Sequence, residues 1–174
     1  MEDFFLFIGN LPIHPIAVHF AVVLFPLAAL AVALIAALPR LRIRYLGASV
    51  VALTLTVPLV YIAQQSGKAL GDFYYEPDPH ATYGDMMTPI ALGTAGLALL
   101  FWLAIRNKWP KFLSRALGFL VVSAAIGASA MTFVVGHSGA DATWGNKFPS
   151  ASSDSTITNT TAMPEESTRK TGAS

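Results

Sequence analysis

Four apolar runs, separated by polar punctuation, frame this chain: about residues 16–38, 46–64, 86–105 and 116–135. Each is close to the roughly 20 residues that an α-helix needs to cross the hydrocarbon core of a bilayer. The pattern therefore predicts an all-α fold, an integral membrane four-helix bundle with short connections. Pro39 closes the first run, Gln64-Gln65-Ser66-Gly67-Lys68 the second, and the Trp109-Pro110 turn separates the third from the fourth. Gly136-His137-Ser138-Gly139-Ala140-Asp141 forms the exit of the last span, with Asp141 expected as a solvated turn residue. Pro26, Pro58 and Pro89 fall inside the runs, where neighbouring helices tolerate them, and Pro26 is expected to kink the first.

One four-span domain, residues 1–145, accounts for these runs, and residues 146–174 form a tail rich in Ser and Thr that is expected to be disordered. Met1 to Gly9 reads as an interfacial lead-in. Its acids and the spanning length of the run that follows do not fit a secretory signal. Gly118, Ser123, Ala124, Ala125, Gly127, Ala128, Ser129 and Ala130 make the fourth span the expected most buried helix, because small side chains let helices approach closely.

Composition strengthens the membrane reading, with 54% hydrophobic against 12% charged residues. Cysteine is absent, which excludes disulfides, thiolate metal sites, iron–sulfur ligation and haem attached through Cys-x-x-Cys-His. Ligand chemistry must then use His, Met, Tyr or carboxylate. No basic stripe with interleaved aromatics points to nucleic acid, which is set aside. Charge placement supplies an orientation. Arg40, Arg42, Arg44, Arg106, Lys108, Lys111 and Arg115 flank the connections after the first and third spans, and every acid lies on the other side. The positive-inside bias puts those connections in the cytoplasm and both termini outside, in a multi-pass plasma-membrane protein.

That orientation gathers all four histidines near the outer face. His14 and His19 enter the first span, His80 precedes the third and His137 leaves the fourth. Pro15 disfavours helical torsions at His14 and suits a first helical position, so His14 is expected at the helix mouth. His19 lies a turn deeper and about 140° around the helix, so the two rings need not share a target. An imidazole inside a membrane span is costly unless it meets protein, water or a bound group, which makes His19 a functional candidate. Gln64, Tyr74, Tyr75, Tyr83, Asp72, Asp78, Asp85 and Asp141 are the nearby polar candidates.

Two chemistries suit this constellation. A b-type haem needs axial imidazoles from facing helices and an apolar slot, for which His19 with His137 or His80 are the expected ligands, the remaining imidazoles, His14 among them, then serving a propionate or proton movement. A non-haem metal site would use His19, His80 and His137, with Asp85 or Asp141, and suits Zn, Cu or Fe. Neither reading rests on a compact motif such as His-Glu-x-x-His. A third reading gives the histidines only helix-end hydrogen bonds, which His14 and His80, each beside a proline, would serve well. Tyr and Trp read as interfacial anchors, and adjacent Met86 and Met87 cannot point the same way.

His14-Pro15-x-x-Val18-His19-Phe20, the Gly67 to Asp72 segment, His80 before the third span, and Gly136-His137-Ser138-Gly139-Ala140 together carry a family likeness. From about Leu11 to Gly145 the chain resembles the bacterial domain of unknown function 2231 family, a four-span membrane module. The resemblance implies electron transfer near the outer face, because some relatives are joined to Rieske iron–sulfur or cytochrome-like domains. Any redox partner here would be a separate protein. Ala21 departs from the family's proline after the His-Phe pair, and no catalytic role comes with the resemblance.

The expected function is thus a haem- or metal-binding component of membrane electron transfer rather than a stand-alone enzyme, with the lipid bilayer as its surroundings. A structural or accessory subunit without a cofactor is the alternative. A metal-ion transporter ranks third, because beneath His19 the spans offer only Thr and Ser hydroxyls.

Overall fold

The structure, a computed structural model, describes residues 7–8, 11–71 and 78–145. The first described residues form a minimal antiparallel ribbon, β1 (Phe7–Ile8) paired with β2 (Leu11–Pro12). Four helices follow: α1 (Ile13–Ala37), α2 (Pro39–Gly71), α3 (Asp78–Arg106) and α4 (Lys111–Trp144). All four are long and apolar enough to cross a membrane. The lead-in up to Leu6, the connection at 72–77 with Asp72, Tyr74 and Tyr75, and the tail from 146 onward lie outside the described residues.

The helices outrun the apolar runs, mostly at one end of the bundle. α2 continues two turns past Gln64, α3 begins at Asp78, and α4 passes through Gly136 and Gly139 without a break. Asp141, expected in a turn, is helical, because the small residues around it permit α-torsions and nothing between Val135 and Trp144 interrupts the hydrogen-bond ladder. Pro26, Pro58 and Pro89 likewise sit inside continuous helices.

Sequential helices pack as antiparallel neighbours, and α4 closes the ring against α1, leaving α1 and α3 diagonally opposed. The core is a column of small residues with few large ones, Phe25, Leu53, Phe101 and Val121 among the fully buried. In lipid, where apolar burial brings no gain over lipid tails, this close packing and its dispersion contacts hold the helices together. The buried hydroxyls of Ser49, Thr56, Thr94 and Thr132 donate to carbonyls of their own helices, which satisfies them without partners from elsewhere.

The expected burial of the fourth span is corrected. Its apolar window is the least buried of the four at 28%, and that of α2 the most at 39%. Small residues occupy both sides of α4. Gly118, Ala125 and Ala128 face the core, whereas Gly127 opens onto empty space and Phe119, Ile126 and Phe133 cover the outside.

The bundle consists of two similar hairpins, α1–α2 and α3–α4. Laying His14 on His80 superposes Ala21 on Met87, Phe25 on Ala91, Ala29 on Ala95 and Val32 on Ala98, each of them buried. Laying Ser66 on Ser138 superposes Leu46 on Gly118, Ser49 on Val121, Leu53 on Ala125, Thr56 on Ala128 and Val60 on Thr132, again all buried. Large residues in one hairpin meet small ones in the other, so the identities hide a burial pattern that the two share.

Candidate functional site

At the end of the bundle opposite the arginine-rich connections lies a cavity of about 850 Å³. Small and apolar side chains dominate its wall, among them Val18, Ala21, Val60, Ala63, Gly84 and Gly136, with Gln64, Lys68, Asp85 and Trp144 among its polar lining residues. His14, His19 and His80 line it. His137 does not. Its side chain is 69% exposed, stacked on Phe133 with ring centroids 6.3 Å apart and 3.6 Å from the Asp141 carboxylate.

His14 projects from the first turn of α1 onto α2. Its Nδ1 lies 3.0 Å from the carbonyl of Ala63 and 3.3 Å from the hydroxyl of Ser66. A carbonyl only accepts, so in the neutral ring Nδ1 carries the proton. His80 makes the matching contact in the other hairpin, with Nδ1 3.1 Å from the hydroxyl of Ser138. That hydroxyl gives its own proton to the carbonyl of Val135 at 2.9 Å, so it accepts from His80, and Nδ1 is again the protonated nitrogen. Ser66 is disposed alike, donating to Ala63 O at 3.1 Å.

The unprotonated Nε2 atoms of both rings carry the lone pairs. Neither has a hydrogen-bond partner among the described residues, and no unpartnered side-chain nitrogen or oxygen there is sealed from its surroundings, so both Nε2 atoms are accessible on rings that line the cavity. The two rings come from diagonal helices and line the same cavity.

A glycine seats each imidazole. A Cβ on Gly67 would stand 2.9 Å from Cε1 of His14, and one on Gly139 would stand 2.9 Å from Cε1 of His80. Each half of the site is thus a histidine from the start of one helix lying on the Ser-Gly pair near the end of the next. These pairs, Ser66-Gly67 and Ser138-Gly139, were not singled out by sequence reasoning as anchors. The signal that finds them is the same dipeptide closing two even-numbered helices, each downstream of a histidine that opens the preceding helix.

His19 donates from Nδ1 to the carbonyl of Pro15 one turn earlier, which orients its ring along α1 at the cavity wall. Gln64 and Asp85 tie α2 to α3 beside it. Gln64 Nε2 donates to the backbone and side-chain oxygens of Asp85, both at 3.0 Å, Thr88 donates to Gln64 Oε1, and Lys68 pairs with Asp85 at 2.8 Å. No cluster of three or more His, Asp or Glu with metal-binding geometry occurs among the described residues. The structure therefore brings His14, His19 and His80 to one cavity, and His14 and His80 into equivalent settings, while His137 faces outward.

Comparison with known families closes the description. The family model DUF2231, described as a predicted membrane protein, matches residues 10–150. The chain belongs to this family. With four helices of spanning length it is a multi-pass membrane protein, and no curated protein or solved structure matches it.

Proposed function

We propose that this DUF2231 protein holds a b-type haem, or another metal cofactor, between His14 and His80, and serves as a cofactor-binding component of membrane electron transfer. One observation carries the reading: both imidazoles are anchored through Nδ1, which leaves Nε2 unpartnered on two rings that line the same cavity. A hydrogen bond on the distal nitrogen is how proteins fix the tautomer and ring orientation of a ligating histidine and raise its basicity. Helices that face each other across a bundle supply axial ligand pairs, and small wall residues leave room for a flat group. A bound haem would supply one-electron chemistry. The protein's part is to hold the two rings, exclude lipid with Val18, Ala21 and Val60, and place Lys68 at the cavity wall, where it can turn from Asp85 to an anionic substituent. Three-histidine metal ligation finds less support, because His137 is turned away.

An absorption spectrum of the detergent-purified full chain, oxidised and then reduced with dithionite, tests the reading. A Soret band that shifts on reduction and is lost in both His14→Ala and His80→Ala supports it. Expression in a haem-sufficient host with neither haem nor stoichiometric metal in the product overturns it. That result would favour the accessory-subunit reading, for which the same hydrogen bonds have a sufficient role: His14 braces α1 to α2, and His80 braces α3 to α4.

A further inference from the structure

The arginine-rich end of the bundle has a second cavity, of about 380 Å³, between the end of α3 and the start of α4. Arg42, Lys108, Lys111 and Arg115 line it, with Trp109 and Ser114. No carboxylate lies in this part of the sequence to neutralise these cations. Arg42 spends Nε and one terminal nitrogen on the carbonyl of Ala36 and sits over the Phe101 ring, 5.4 Å from its centroid, which fixes its charge at the cavity wall.

The start of α4 adds donors. Pro110 is the N-cap and provides no side-chain cap, and the first helical bond from this turn is Ser114 N to Pro110 O, so the N–H groups of Lys111, Phe112 and Leu113 lack acceptors. The hydroxyl of Ser114 is the second, independent sign of a ligand. This residue is only 9% exposed, lines the cavity, and its hydroxyl has no hydrogen-bond partner among the described residues. That hydroxyl is accessible rather than sealed, so it can donate to an acceptor that enters the cavity.

We infer that this cavity binds a phosphate group, and that its source is the headgroup of an anionic phospholipid. Converging cations, free N–H groups at a helix start and a hydroxyl donor are the chemistry that recognises a phosphate. The lipid source follows from position. The cavity lies where two membrane-length helices end, beside Trp109 at 36% exposure, and Phe112 and Ile43 expose their side chains at the same end, 74% and 93% accessible. A basic recess between spans at that level faces headgroups.

Native mass spectrometry of the full chain, released from micelles doped equally with phosphatidylglycerol and phosphatidylcholine, tests this. Phosphatidylglycerol should be retained at least about tenfold over phosphatidylcholine, and Ser114→Ala should weaken retention about tenfold, the loss of a hydrogen bond to a charged group. Lys108→Gly should lower retention without lowering thermal stability, because Lys108 has φ of 54°, a torsion that glycine adopts more readily. Equal retention of both lipids, or unchanged retention in both variants, overturns the proposal. Protection from unfolding by inorganic phosphate without lipid retention overturns the lipid source.

Discussion

The two anchoring serines differ in how much each histidine depends on them. His80 has Ser138 as its one hydrogen-bond partner among the described residues, whereas His14 keeps the carbonyl of Ala63 when Ser66 is removed. Ser138→Ala should therefore free the His80 ring and weaken cofactor retention about five- to tenfold, about the free energy of one hydrogen bond, while Ser66→Ala changes it less. Dissociation constants of the two variants, measured by absorption titration, check the order. Gly67→Val and Gly139→Val should each abolish retention yet leave the helices intact by circular dichroism, since what a new side chain meets is the end of an imidazole ring, which can swing away, and not backbone. The residue types at these positions were visible from the start, and His14, His19 and His80 were candidates. Their ranking was not visible. Tautomer and aim depend on Ser66, Ala63 and Ser138, which stand 49 to 58 residues away from their histidines in the chain.

At the scale of the element, the end of α3 shows how a helix stops without glycine. Lys108 N bonds Ile105 O and Trp109 N bonds Ala104 O, the paired bonds of a Schellman motif, with Lys108 in the left-handed position that glycine usually fills. Lys108→Gly should stabilise the fold by up to about 1 kcal/mol, readable as a later unfolding transition in mixed micelles. Phe101, one turn earlier, is fully buried between Arg42 and Gly118, whose added Cβ would stand 3.2 Å from the ring. Phe101→Ala should cost roughly 3–5 kcal/mol on the same measurement. By contrast, Asp85→Asn breaks an ion pair whose partners are each about half exposed, and should cost under about 1 kcal/mol. Helix existence followed from apolar runs of spanning length. Helix ends did not, because α2 and α4 extend through polar and glycine-rich segments on which His14 and His80 of the preceding helices pack.

For the whole molecule, antiparallel packing puts the start of α1, the end of α2, the start of α3 and the end of α4 at the cavity end, and the seven loop-flanking cations at the other. With no native cysteine, a single introduced one reports its side of the membrane. Lys108→Cys should react only with reagent admitted to the cytoplasmic side, and Asp141→Cys from the opposite side, if the charge bias sets the orientation. Cofactor binding should also show strong coupling between hairpins: in a double-mutant cycle, His14→Ala and His80→Ala together should cost little more than either alone, since one ligand cannot hold the group by itself.

By itself the sequence determined the bilayer as solvent, four helices, their alternation and the end at which the histidines gather, because these depend on local hydropathy and on charges counted along the chain. Only the tertiary structure decided that His14 and His80 take equivalent anchored positions on one cavity while His137 lies outside it. Helix rotation is set by the packing of buried faces, Phe25 and Ala29 in one hairpin and Thr132 and Ala128 in the other, and that rotation turns His137 outward while seating His14 and His80 on Gly67 and Gly139.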